Sequence, residues 1–275
     1  ERLEKEINKV GGDASAQQRL NDLLNIELAV SYFIDKSLEY QAMIFSTINR
    51  TQKRVSQDLV YSLFGLSSND TPYKTALEVV LALNGHPKSP FYKRIKLYGG
   101  DYDMHISPPL SQATMIKSIV ALISESLRES ENDKYRSRKD LRTQRGKKFL
   151  PFRLFYANNN DYMISDCLFY NFNTIRHYLL RYWEYDGLAK PNNVLQSTVG
   201  YEALLNLLVE ILKRNKIDTF NSNTFVPYIE KLQFIDFSDT EKFPMSTKGR
   251  NILYLTMSLN VFPALGNNDE RMIKL

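Results

Sequence analysis

The sequence predicts an α+β chain that is predominantly helical, with a mixed domain followed by an α-helical one. Three observations carry this. Residues 26–33 alternate Ile26, Leu28, Val30 and Tyr32 with Glu27, Ala29 and Ser31, the two-residue period of a half-buried strand. Elsewhere apolar residues recur at spacings of three and four, beginning at hydroxyl or amide capping residues, as in amphipathic helices. Between 128 and 150 that periodicity disappears and the composition turns basic, which marks a boundary. The expected division is a first domain at 1–128, a basic linker or arm at 129–150, and an α-helical domain at 151–275.

Residues 1–9 and 16–24 are helix-like and broken at Gly11-Gly12-Asp13. After the strand, Ser37 caps a helix with Glu39 in its first turn and Ala42, Phe45 and Ile48 on one face. Ser56 caps the next, with Val55 and Val60 as a hydrophobic staple, Leu59 and Leu63 toward the core, and Gly65 at its stop. Thr71-Pro72 opens a third helix, which Gly85-His86-Pro87 ends. Residues 89–98 and 101–106 are expected to be extended or looped. Ser111 opens an amphipathic helix carrying Met115, Ile119, Leu122, Ile123 and Leu127. Beyond Pro151, helices are expected at 161–185, 201–215, 224–233 and 250–259, with Pro227 in a first turn, where its missing N–H costs little.

Composition narrows the function. A chain of 275 residues with 43% hydrophobic content can bury a sizeable core. The single cysteine, Cys167, excludes an intrachain disulfide framework and a cysteine-based zinc site, which fits a reducing cytoplasm. No apolar run approaches the roughly 18 residues of a membrane span. The net charge of +5 is localised: from Lys134 to Phe149 eight basic residues stand against one acid, Asp140, while the remainder carries 28 basic and 30 acidic residues. That segment has the composition of an electrostatic arm for DNA phosphates or another acidic surface, or of a mobile loop serving solubility. The arm reading assigns DNA contact to Arg136, Arg138, Lys139, Arg142, Arg145, Lys147 and Lys148.

Other motifs are weaker. His86, His105 and His177 stand apart, with no second ligand at metal-binding spacing, so no metal site is expected. Asp101 and Asp103 share one side of an extended stretch and suit either a divalent ion or a polar loop. Neither a Gly-x-x-x-x-Gly-Lys-Ser/Thr loop nor Gly-x-Gly-x-x-Gly occurs. Residues 176–185 interleave Arg176 and Arg181 with Tyr178, Tyr182, Trp183 and Tyr185, which suits unstacked bases or helix packing. Ser197-Thr198-Val199-Gly200 and Ser246-Thr247-Lys248-Gly249 echo each other at two helix starts, as caps or as phosphate contacts.

The connector Asn49-Arg50-Thr51-Gln52-Lys53-Arg54 puts amides, a hydroxyl and cations near a helix N-terminus, a setting for an anion or for a solvated turn. The run Ala42-x-x-Phe45-x-x-Ile48-Asn49-x-x-Gln52-x-x-Val55-Ser56-x-x-Leu59, preceded by residues 26–33, resembles the downstream half of the DGQHR-domain family, with weaker likeness through Ser89-Pro90-Phe91 and Ile106-Ser107. That family includes DndB-like proteins of bacterial DNA-modification operons and is similar to the ParB-type fold. The likeness covers roughly the first 120 residues. The Asp-Gly-Gln-His-Arg signature is absent, and by analogy it falls before Glu1, so the chain is expected to begin downstream of it.

The resemblance implies a partial ParB-like α/β domain and a DNA-acting component of a DNA-modification or phage-defence system, of phosphorothioation or 7-deazaguanine type. It implies nucleotide binding at Asn49, Gln52, Lys53 and Arg54, with ATP or another nucleotide and Mg2+ as cofactor and NTP hydrolysis as the enzymatic option. Expected partners are DNA and a DNA-modifying enzyme of the same operon, with no membrane. The alternative is a non-catalytic scaffold that recruits the modifying enzyme.

Overall fold

The computed structural model describes residues 21–22, 24–25, 34–48, 56–64, 70–100, 110–133, 136–143, 146–185, 188–189, 193–264, 266 and 269–275. Glu1–Lys36 and Ser37–Leu275 form two compact units. Within the first, Asn21, Asp22 and Leu24 are helical, and the Asn25 N–H donates to the Asn21 carbonyl at 3.0 Å. The predicted strand at 26–33, the helix at 1–9 and most of that at 16–24 lie outside the described residues.

The second unit is predominantly helical, with four strands of two residues each among the described ones. Its first helices are α1 (Leu38–Ile48), α2 (Gln57–Phe64) and α3 (Pro72–Gly85). The expected caps are present: Ser37, Ser56 and Thr71 hydroxyls accept the N–H of Tyr40, Leu59 and Lys74 at 3.3, 3.2 and 3.1 Å. Strands β1 (Ile95–Lys96) and β2 (Leu110–Ser111) pair in parallel, and Ser111 then caps α4 (Gln112–Ile123) through the Thr114 N–H at 3.2 Å. Contacts of Tyr73 with Ser130 beyond the end of α4, and of Asn84 with Ile95, which pairs with Leu110 just before its start, set α3 and α4 antiparallel.

Helix α4 stops four residues before the expected Leu127. The Ser124 hydroxyl donates to the buried Asp133 at 3.0 Å, and a separate helix, α5 (Leu127–Asp133), follows. Beyond 150 come α6 (Arg153–Ala157), which carries no periodic signal, and α7 (Asp161–Tyr178). The helix expected to run unbroken to 185 ends at Leu179. It resumes as the single turn α8 (Leu180–Trp183), and β3 (Glu184–Tyr185) pairs antiparallel with β4 (Leu188–Ala189). Helices α9 (Thr198–Asn215), α10 (Val226–Ile229), α11 (Thr247–Val261) and α12 (Glu270–Ile273) complete the unit. Arg250 pairs with Glu202 and Ser258 with Glu210, so α9 and α11 run side by side in the same direction.

The expected division at 128–150 does not separate two cores. Phe91, from the N-terminal side, packs against Phe172 of α7 with centroids 4.8 Å apart, and against Trp183 at 5.9 Å. Phe172 in turn stacks on Tyr201 of α9 at 5.7 Å. All four rings are at most 4% exposed. Aromatic pairs of this kind add about 0.5–1.5 kcal/mol each beyond the burial of their area, so the two sides of the basic segment stabilise each other directly. None of the helices among the described residues is long and apolar enough to cross a membrane.

Candidate nucleic-acid interface

The described residues of the basic segment are fixed to this core, which departs from the mobile loop that its composition also allowed. Leu141, in a 3-10 turn over Arg138–Leu141, is fully buried, and Leu150 nearly so. At the entrance Arg136 Nη1 lies 3.2 Å from Asp133, whose other oxygen faces Ser124 and, at 3.5 Å, Arg153. Asp133 is 1% exposed, so these donors offset the cost of burying its charge.

Arg138 is the main anchor. Its Nε and Nη2 donate to the two oxygens of Asp70 at 2.6 Å each, and Nη1 and Nη2 donate to those of Asp161 at 2.6 and 2.7 Å. Further donations reach the Tyr156 carbonyl at 2.9 Å and the Thr75 hydroxyl at 3.1 Å, while the guanidinium lies 4.1 Å from the Tyr156 ring centroid. A planar fork between two carboxylates is a geometry arginine supplies and lysine does not. Burial opposes the charge, but the hydrogen bonds Arg138 donates to Asp161 and Asp70 outweigh it and hold its pKa above the ordinary value. Burial pushes the Tyr156 hydroxyl upward, against the pull of the adjacent Arg138.

The structure therefore sorts the predicted DNA contacts. Arg138, with an 11% exposed side chain, and Arg136, held on Asp133, are turned to the protein. Lys139, Arg142, Lys147 and Lys148 are exposed, with Lys148 Nζ donating to the Ala121 carbonyl at 2.8 Å. The intervening Gly146 N–H donates to Glu125 at 2.6 Å, and a Cβ on Gly146 would fall 1.8 Å from that carboxylate, so glycine admits the contact. Arg145 lies outside the described residues, as do Asn49, Gln52, Lys53 and Arg54. Four exposed cations thus stand on a segment tethered at Arg136, Arg138, Leu141, Gly146 and Leu150.

Asp70 and Asp161 are the polar residues that sequence reasoning missed. Each sits at the start of a helix, where a carboxylate is favoured by the peptide dipoles. Nothing along the chain pairs them with Arg138, which is 68 residues from one and 23 from the other.

Among the other motifs, residues 181–184 and the two Ser-Thr-x-Gly helix starts take structural roles, while Asp101, Asp103 and His105 lie outside the described residues. Tyr182 and Trp183 are buried, Tyr182 donates to Asp236 at 3.2 Å, and Arg181 lies over its ring at 4.5 Å. Arg176 pairs with Glu184 at 2.5 Å, as does Arg94 at 2.9 Å. Ser197 and Ser246 hydroxyls cap the N–H of Gly200 and Gly249 at 3.1 Å. The space beside each glycine is filled by protein backbone, since a Cβ would fall 1.9 Å from the Val194 carbonyl oxygen or 1.8 Å from that of Pro244. Cys167 is fully buried and its thiol pushed well up by desolvation, so it is not a nucleophile. His177 is exposed. Among the described residues no group of His, Cys, Asp and Glu is placed to hold a metal ion. Comparison with protein-family models, curated proteins and solved structures gives no match.

Proposed function

We propose that the chain is a DNA-binding component of a bacterial DNA-modification or phage-defence system, and that it meets the phosphate backbone through Lys139, Arg142, Lys147 and Lys148. The supporting observation is the concentration of exposed cations on one tethered segment of an otherwise slightly acidic chain. A fixed array loses less side-chain and backbone freedom on meeting a regular row of phosphates than a loose arm does. Such contacts set register and carry little sequence information. The assignment to a modification system, the ParB-like character of the first domain, and binding or hydrolysis of ATP or another nucleotide with Mg2+ at Asn49, Gln52, Lys53 and Arg54 rest on the DGQHR resemblance.

The test is fluorescence anisotropy with a labelled duplex across a salt series. Each neutralised phosphate contributes about 0.9 to the slope of log affinity against log salt. Changing Lys139, Arg142, Lys147 and Lys148 together to glutamine should flatten that slope by about 2 to 3.5 and weaken unrelated duplexes alike. An unchanged slope removes the segment from DNA binding and favours the scaffold reading, in which the same cations face an acidic surface of the modifying enzyme.

A further inference from the structure

Helix α7 has a second face that none of the foregoing uses. Residues 169, 170, 173, 174, 177 and 178 follow the spacing of one helical stripe, and with Ser222, Asn223 and Val226 they line a groove of about 420 Å3. That volume lies within the range of small-molecule sites.

Three properties of the groove narrow its ligand. Its walls are aromatic: Phe169 and Tyr170 meet edge to face with centroids 5.3 Å apart, and His177 and Tyr178 do so at 4.9 Å. Phe169 is further braced by the edge of His86 at 5.6 Å, and Phe169, Tyr170 and Tyr178 all pack against the core from behind, so the walls are preformed. Its polar groups are unspent: among the described residues none hydrogen-bonds to the side chains of Tyr170, Asn173, His177, Tyr178, Ser222 or Asn223. Amides at Asn173 and Asn223 offer a donor and an acceptor each, the pairing needed to read the edge of a heterocycle. Finally, among the described residues no Asp, Glu, Lys or Arg lines it. A larger cleft of about 620 Å3 beside Glu210, Lys213 and Arg214 is charged, and its carboxylate already accepts from Tyr254, Ser258 and Arg214.

We infer that this groove binds a neutral, planar nitrogen heterocycle with a polar edge, namely a nucleobase, whose face rests on the Tyr178 ring and whose edge is read by Asn173 and Asn223. Stacking of a base on such rings contributes roughly 1–3 kcal/mol and tolerates any base, while the amides bias the choice. The inference does not depend on the basic segment, because none of its described cations lines the groove.

The base could belong to a free nucleoside or to an unstacked position of a single strand. Saturation-transfer NMR separates these using adenosine, cytidine, ribose alone, a short single-stranded oligonucleotide and an abasic strand of equal length. The oligonucleotide arms use the variant in which Lys139, Arg142, Lys147 and Lys148 are glutamine, which removes backbone attraction. The inference expects transfer to at least one nucleoside through its base protons and none to ribose. Asn173→Ala and Tyr178→Ala should each weaken binding at least fivefold with unchanged far-UV circular dichroism. Binding of the oligonucleotide at least tenfold tighter than of the nucleoside assigns the base to a strand, and equal affinities assign it to a free nucleoside. Absence of nucleoside transfer, transfer undiminished in Asn173→Ala and Tyr178→Ala, or an abasic strand binding as well as the intact one would each overturn it. None of those results bears on the duplex salt slope.

Discussion

Arg138 shows how one side chain converts a charge-rich stretch into part of the fold. It came from the sequence as one cation among eight, yet among the described ones its side chain is the least exposed, because two helix-start carboxylates and the Tyr156 ring enclose it. Replacing it by leucine would leave Asp161 and Asp70 facing each other with only the Thr75 hydroxyl donating to Asp161. Asp70 is 57% exposed and partly screened by water, whereas Asp161 is 28% exposed. The loss should be about 2 kcal/mol in urea unfolding, below the 3–5 kcal/mol of a fully buried broken pair. Asp161→Asn should cost more than Asp70→Asn for the same reason. If Arg138→Leu is neutral in urea, the segment is not held by this residue.

Helix starts were the most legible elements and helix ends the least. Caps at Ser37, Ser56, Thr71, Ser111, Ser197 and Ser246 follow from a local hydrogen bond between residues three apart, which sequence displays directly. The breaks at Ser124 and Leu179 have no glycine or proline to announce them. At Ser124 the cause is a distant carboxylate, Asp133. At Leu179 the chain must turn for Glu184 to reach Arg176, since eight residues of straight helix would set their backbones about 12 Å apart. The Ser-Thr-x-Gly echo was legible as a pattern, but its reason lies in tertiary structure: glycine lets the preceding backbone fold onto the first turn of its helix. Gly200→Ala drives a methyl group into a carbonyl oxygen and should destabilise by about 3 kcal/mol. Gly85→Ala, where nothing lies within 4 Å, should fall within about 0.5 kcal/mol of the parent. Equal effects in thermal or urea unfolding would contradict the close-approach account.

At the scale of the molecule, the sequence conveyed helical dominance but misplaced the division, because a break in periodicity also arises where a polar segment crosses a continuous core. The ring cluster of Phe91, Phe172, Trp183 and Tyr201 joins both sides of 128–150, and Trp183 is the sole tryptophan of the chain. Its emission therefore reports the shared core. Unfolding followed by Trp183 fluorescence and by far-UV circular dichroism should coincide, and Phe172→Ala should move both together by about 3–5 kcal/mol. Two separated transitions, with fluorescence following only the second, would restore the two-domain division.

The candidate interface was legible in its charge and not in its geometry: composition located the cations, and only the structure distinguishes Arg138, which holds the segment, from Lys139, Arg142 and Lys147, which are exposed, and from Lys148, which is exposed while donating to the Ala121 carbonyl. Amine-acylation footprinting read by mass spectrometry addresses that distinction at the contact itself. Lys139, Lys147 and Lys148 should be labelled in the free protein and protected at least fivefold by saturating duplex DNA, while the exposed Lys213 and Lys248 keep their labelling. Protection at Lys213 or Lys248 instead, or unchanged labelling at all five lysines under conditions where anisotropy reports binding, would contradict a DNA interface on the tethered basic segment.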